Sequence, residues 1–206
     1  MDTKSTIFEF TSYKFEPEKK RISFNYKVSS KHNDFILFTE TINLPKTPNL
    51  KKIPQNLYKK ILQDLHLALG ISYYKLYCSK HIKFNYFLTK EEADFWNSFY
   101  VKGLGEFFYR NKLDPAIFPG FPFDKKKEPK NYRLERNNKF LVGASGGKDS
   151  IVAVELLKEY VADFSVIFVE TQKKYPLADK IIEKMQAGSF KLRRNLDKKI
   201  FDKEAG

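Results

Sequence analysis

Apolar and polar side chains alternate along the opening stretch of the chain. Ile7, Phe8, Phe10, Tyr13 and Phe15 mark Thr6–Phe15, and Ile22, Phe24, Tyr26 and Val28 alternate cleanly over Arg21–Ser29. Phe35–Leu44 follows, rich in β-formers. Period-two patterning broken by turn residues, here Glu16-Pro17-Glu18-Lys19-Lys20, predicts an antiparallel meander. A Pro- and Lys-rich connector spans Pro45–Pro54. The period then changes. Leu57, Ile61, Leu62, Leu65 and Leu69 recur at helical spacing and predict a helix over Asn56–Ser72, with Gly70 near its end. His81–Leu88 reads as a short strand. Thr89 and Glu92 have capping-box spacing and open a helix from Lys90 to about Asn111, with a break expected at Gly103 and Gly105.

Asp114–Asn138 holds four prolines and a lysine triplet and reads as a linker or an extended wrap. Beyond it the pattern is that of a βαβ unit. Phe140–Ala144 suits a buried strand, Ile151–Tyr160 a helix, Phe164–Glu170 a second buried strand, and Pro176–Gln186 a second helix. A third strand is expected to start around Ser189–Arg194. The predicted fold is α/β: an α+β N-terminal part over 1–113, a linker over 114–138, and a partial parallel-sheet domain over 139–206. A parallel unit this short leaves Phe164–Glu170 as an exposed edge strand.

Hydrophobic residues make up 42% of the 206 residues and aromatics 16%, enough for a sizeable core and too much for a disordered chain. No apolar run approaches the ~18–20 residues that span a bilayer, so no membrane partner is expected. The opening residues include an acidic one and no apolar h-region, so no secretory signal is visible. The single Cys78 excludes a disulfide framework and a multi-cysteine zinc site. A reduced, cytoplasmic compartment is the expectation. The net charge is +13, yet only six of the 38 cations are arginine, and the lysines are spread over the whole length. That distribution reads as solvated surface before it reads as a nucleic-acid face, and it suits anionic small molecules equally well.

Ser145-Gly146-Gly147-Lys148-Asp149-Ser150 lies between a predicted strand and a predicted helix. Adjacent glycines open backbone conformations closed to other residues and let the backbone approach a ligand. The helix start offers free N–H groups and a partial positive charge, which together make an anion site suited to phosphate. Ser145 and Ser150 can add hydroxyls and Lys148 a compact cation. Asp149 would repel a bare phosphate, which points to Mg²⁺ bridging it to the ligand. Other phosphate loops fail: a Walker A motif needs Gly where Val142 stands, and a dinucleotide fingerprint needs Gly at Ser145.

This loop resembles the SGGxDS signature of the PP-loop ATP pyrophosphatases. The resemblance implies a Rossmann-like sheet, ATP cleavage between the α and β phosphates, and adenylation of a substrate oxygen. It places the pyrophosphate of MgATP on Ser145–Ser150, with Asp149 toward the metal, and adenine near Val169–Thr171. Three strings precede the loop: Phe38-Thr39-Glu40, Gly70-Ile71-Ser72-Tyr73-Tyr74-Lys75 and Gly103-Leu104-Gly105-Glu106-Phe107-Phe108-Tyr109-Arg110-Asn111. In this order the chain resembles the MurL-type family of bacterial UDP-N-acetylmuramoyl-L-alanyl-L-glutamate epimerases, from about residue 6 onward. The resemblance implies a UDP-muramoyl dipeptide substrate whose terminal glutamate is inverted after its carboxylate is adenylated, with release of AMP and pyrophosphate. Activation matters because a carbanion beside a free carboxylate is strongly disfavoured.

Lys75, Glu106 and Arg110 are the candidates for proton transfer and carboxylate binding. Arg110 suits a bidentate carboxylate contact and Glu106 a base. Against this, Glu106 and Arg110 at i and i+4 also describe a surface ion pair, and Lys75 a snorkelling helix-end lysine. His66, on a leucine-rich helix, reads as packed or solvent-facing, and Cys78 as structural. The parallel unit looks short for its family, and the polar tail Lys198–Gly206 closes no sheet. The expectation is the N-terminal part of a longer enzyme or a truncated product. The alternatives are a PP-loop enzyme modifying tRNA and a non-catalytic nucleotide-binding remnant. The sequence does not set the oligomeric state.

Overall fold

The computed structural model describes residues 6–30, 34–130, 132, 138–160, 163–171 and 176–202. The end of the 114–138 stretch and the tail beyond Asp202 therefore fall largely outside the described residues. The predicted meander forms as β1 (Ile7–Glu16), β2 (Arg21–Ser29) and β3 (Phe35–Asn43), paired antiparallel in chain order. Alternation explains it: Phe10, Tyr26 and Phe38 stand in register across the three strands and are all buried. Lys20 closes the first turn with φ 49°.

α1 (Gln55–Tyr74) packs on β1 and β2. β4 (His81–Phe84) joins the far side of β1 in parallel, a pairing the local pattern does not foretell. α2 (Lys90–Gly103) starts on a complete capping box. Glu92 N–H donates to Thr89 Oγ1 at 3.2 Å, and Thr89 N–H donates to Glu92 Oε2 at 2.9 Å. The helix breaks at Leu104 and resumes as α3 (Gly105–Arg110). Phe121 is buried in the same core, its N–H bonded to Asn97 Oδ1 at 2.7 Å, and Asp124 N–H reaches Leu88 O at 3.0 Å.

The core between these elements is built mainly of rings. Phe8, Phe10, Tyr26, Tyr73, Tyr74 and Tyr100 are all fully buried. Two of these buried phenols donate to backbone carbonyls: Tyr26 to His66 O at 3.2 Å and Tyr100 to Leu67 O at 2.6 Å. Gly70 admits this packing. A Cβ there would lie 2.4 Å from Phe10 Cε1 and 3.1 Å from Tyr100 Oη. Alanine would gain about 1 kcal/mol of helix propensity. The clash outweighs that gain, because Phe10 is held by rings on several sides. Gly70→Ala is expected to destabilise the fold by roughly 1–3 kcal/mol net, read as a lower urea midpoint at unchanged m-value.

β5 (Phe140–Gly143), α4 (Lys148–Tyr160), β6 (Phe164–Glu170), α5 (Pro176–Lys184) and β7 (Gly188–Asn195) complete the chain. The three strands are parallel and enclose a smaller core of Ala144, Val154, Val166 and Met185. They do not form a separate sheet. β7 pairs antiparallel with β3 through Thr41–Asn43, giving one seven-stranded mixed sheet in the order β4-β1-β2-β3-β7-β6-β5. This corrects the expectation for Phe164–Glu170. It is an interior strand between β7 and β5, and β5 is the edge.

A buried ion pair reinforces that seam. Glu40 on β3 is fully buried and receives Arg194 of β7, with Nε 2.5 Å from Oε1 and Nη2 3.2 Å from Oε2. Arg194 Nη2 also donates to Ser72 Oγ at 3.0 Å, tying in the end of α1. Burial works against the arginine's charge, but Glu40 more than restores it and holds the pKa above its ordinary value. Two of the sequence strings singled out above, those holding Glu40 and Ser72, thus meet at the junction of the two cores.

Candidate functional site

The loop Ser145–Ser150 has the strand-to-helix setting expected of it. β5 delivers buried Ala144, whose N–H bonds Ile167 O at 2.9 Å, and α4 begins at Lys148. Gly146 has φ +80°, which side chains rarely adopt, and a Cβ there would lie 3.1 Å from Ile181 Cδ1. The conformation favours glycine here, and a side chain would also have to push the Ile181 terminal methyl aside. The first intrahelical bond runs from Ile151 N–H to Gly147 O at 3.3 Å. By helix geometry the N–H groups of Lys148, Asp149 and Ser150 therefore precede any intrahelical acceptor.

Around this start, Ser145, Gly147, Lys148 and Asp149 are exposed. Ser150 is not. It is buried, and its hydroxyl donates back to Gly147 O at 2.8 Å, so it shapes the loop in this conformation. Beside the loop lies a cavity of about 530 Å³ at the C-terminal ends of β5 and β6. Gly143, Ala144 and Ser145 line it on one side and Ile167–Thr171 on the other. Val169–Thr171, the segment expected to seat adenine, and the head of the loop thus share one hollow. Glu170 also lines it, a buried carboxylate that Arg193 of β7 grips through one oxygen, Nε at 3.0 Å and Nη2 at 2.8 Å. Neither member of that pair stood out in the sequence, where Glu170 merely closes an apolar strand.

N–H groups without an intrahelical acceptor at a helix start, a cation, a carboxylate and an adjoining cavity suit a metal–nucleotide ligand. Backbone groups of the loop with Lys148 would hold phosphate oxygens, and Asp149 would hold Mg²⁺.

The remaining candidates lie at another hollow. Lys75 caps α1, exposed, while its neighbours Tyr73 and Tyr74 point into the core. Lys75 lines a second cavity of about 530 Å³ with Leu76, Cys78, Lys80, Phe107 and Asp114 among its walls. This cavity shares no lining residue with the one beside the loop. Burial pushes the Cys78 thiol up. Glu106 and Arg110, one turn apart on α3 beside Phe107, form an exposed ion pair at 3.4 Å. His66 is buried in the aromatic core.

The family described as MurL N-terminal domain matches over residues 1–206. The chain belongs to this family. Among relatives of this MurL-family chain is the UDP-N-acetyl-alpha-D-muramoyl-L-alanyl-L-glutamate epimerase of Salinispora tropica. It is 28% identical over 207 aligned residues, covering 96% of the chain and 43% of the relative. Proteins of the same name from Xanthomonas oryzae pv. oryzae and a Micromonospora species are 33% and 29% identical, over 63% and 73% of the chain and 29% and 34% of their own lengths. The chain thus spans less than half the length of the curated relatives it matches. No solved structure matches it.

Proposed function

We propose that this chain is the nucleotide-binding part of an ATP-dependent epimerase that inverts the terminal glutamate of UDP-N-acetylmuramoyl-L-alanyl-L-glutamate. The observation that supports it most is the Ser145–Ser150 loop, opening a helix beside a cavity, in a chain whose full length matches the MurL family. ATP, when bound, would supply an adenylyl group: the substrate carboxylate would join the α phosphorus as a mixed anhydride with pyrophosphate leaving, and the adjacent C–H would become more acidic. The chain's part is to hold the phosphates on the loop's N–H groups and Lys148, to place Mg²⁺ on Asp149, and to seat adenine by Val169–Thr171.

For Lys75, Glu106 and Arg110 to serve proton transfer and substrate-carboxylate binding, the muramoyl dipeptide would have to reach from the loop cavity to the separate hollow that Lys75 lines. The pair on α3 is worth only about 0.2–0.5 kcal/mol as an exposed i,i+4 contact, so a substrate carboxylate can displace Glu106 from Arg110 at little cost.

The test uses the chain itself. Titration with MgATP is expected to show binding that Lys148→Ala weakens by about 10–100-fold, the value of one charge-assisted hydrogen bond. Asp149→Asn is expected to remove the Mg²⁺ dependence. With the muramoyl dipeptide and the separately produced remainder of the Salinispora tropica relative present, AMP release and D-glutamate after hydrolysis are expected, and both variants lose them with unchanged far-ultraviolet ellipticity. Equal nucleotide binding by the wild type and both variants would falsify the loop assignment.

A further inference from the structure

Three features of the parallel strands coincide. The first is an edge that is free among the described residues. β5 ends the sheet, and Phe140 and Ala144 donate toward β6, to Asp163 O at 3.1 Å and Ile167 O at 2.9 Å. The alternate residues, Leu141 and Gly143, therefore turn their N–H and C=O groups to the open side. The second is a face left uncovered by the described residues. Val154 of α4 and Ile181 of α5 gather around Val166, so both helices cover the same side of the strands. By strand alternation Leu141, Ile167 and Val169 point to the other side, where Leu141 is 58% exposed and Val169 48%. The third is a stripe on α4. Val152, Leu156 and Tyr160 follow at i, i+4 and i+8, exposed by 58%, 51% and 74%.

Parallel strands are almost always buried on both faces, and an open apolar edge invites pairing. We propose that this surface docks one further α/β polypeptide, the counterpart of that part of the longer relatives lying outside the region matched here. It adds a strand to the β5 edge and lays apolar side chains over Leu141, Ile167 and Val169. Its length supports this, since the larger share of each relative lies outside the match. A second copy of the chain fits less well. Pairing two four-residue β5 edges would satisfy the backbone but leave the Leu141–Val169 face bare. Gly143, Ile167 and Val169 also line the cavity beside the loop, so the same polypeptide walls that cavity.

The experiment mixes this chain with the separately produced remainder of the Salinispora tropica relative, without nucleotide, and follows size and amide hydrogen exchange. A one-to-one complex is expected, with the Leu141 and Gly143 amides exchanging at least about 10-fold more slowly. Leu141→Pro removes an outward N–H while sparing the β6 ladder, so it should abolish the complex with the chain's ellipticity and Tm preserved. Leu141→Glu, which keeps that N–H but places a charge on the covered face, should weaken it independently. The proposal is overturned by an absent complex, by a complex that leaves the β5 amides unprotected, or by self-association of the chain that already protects them.

Discussion

Replacing Glu40 by alanine will cost the fold about 3–5 kcal/mol, because it leaves the Arg194 guanidinium partly buried without its counter-ion. The same principle separates the pair's necessity from its net worth. Taking two charges out of water consumes much of what their attraction returns. The double variant Glu40→Leu with Arg194→Met should therefore recover most of the loss, and the coupling between the two sites should be large. Urea denaturation of the four proteins measures this directly. A near-zero loss in the Glu40 variant would show that the pair does not hold β3 to β7. The effect should also reach the cavity beside the loop, since Arg193, next to Arg194 on β7, is the residue that grips Glu170.

Acid will weaken the protein through one buried histidine. His66 is fully buried among Phe10, Phe24, Tyr13 and Tyr26, at ring separations of 4.9–5.8 Å. Its Nε2 lies 3.0 Å from Asn25 O, a carbonyl that can only accept, so Nε2 carries the proton. Burial lowers its pKa to about 4 from 6.5, and the bond to Asn25 offsets only part of that. The sign follows from proton counting. Below pH 6.5 the unfolded chain binds a proton at this site and the folded chain does not. Stability therefore falls as pH drops from 6.5 toward 4, by about 3 kcal/mol in all, and levels off below. His66→Gln retains a donor for Asn25 O and removes the titration. Its stability should stay flat between pH 6.5 and 5, where the wild type declines. Parallel curves for the two proteins would refute the assignment.

Much of this architecture is legible in the sequence. β1, β2 and β3 alternate because one face is buried, and Thr89 with Glu92 marks the start of α2 by chemistry alone. The glycine-rich loop is legible because Gly146 at positive φ leaves little choice of residue. What the sequence conceals is pairing at a distance. β3 and β7 lie far apart in the chain, and nothing local in Thr41–Asn43 or Arg193–Asn195 announces that they meet. For that reason Phe164–Glu170 read as an edge and proved interior. The ion pairs fail for a related cause. Glu40, Glu170, Arg193 and Arg194 belong to residue types that usually face water, and burial becomes evident only when both partners are placed. The string ending in Lys75 mixes two roles that helical phase separates, with Tyr73 and Tyr74 turned inward and Lys75 outward.

Trp96, the one tryptophan in the sequence, is buried on α2 in the larger core, edge-on to Phe95 and Phe99. The smaller core around Val166 has no indole. Emission from Trp96 therefore follows the meander half and is blind to the loop half. If a thermal ramp is followed by indole emission and far-ultraviolet ellipticity together, any lead of ellipticity over emission times the loss of α4 and α5 against the rest. The chain thus carries its own label on one core, and the order in which its two halves come apart can be read without adding another.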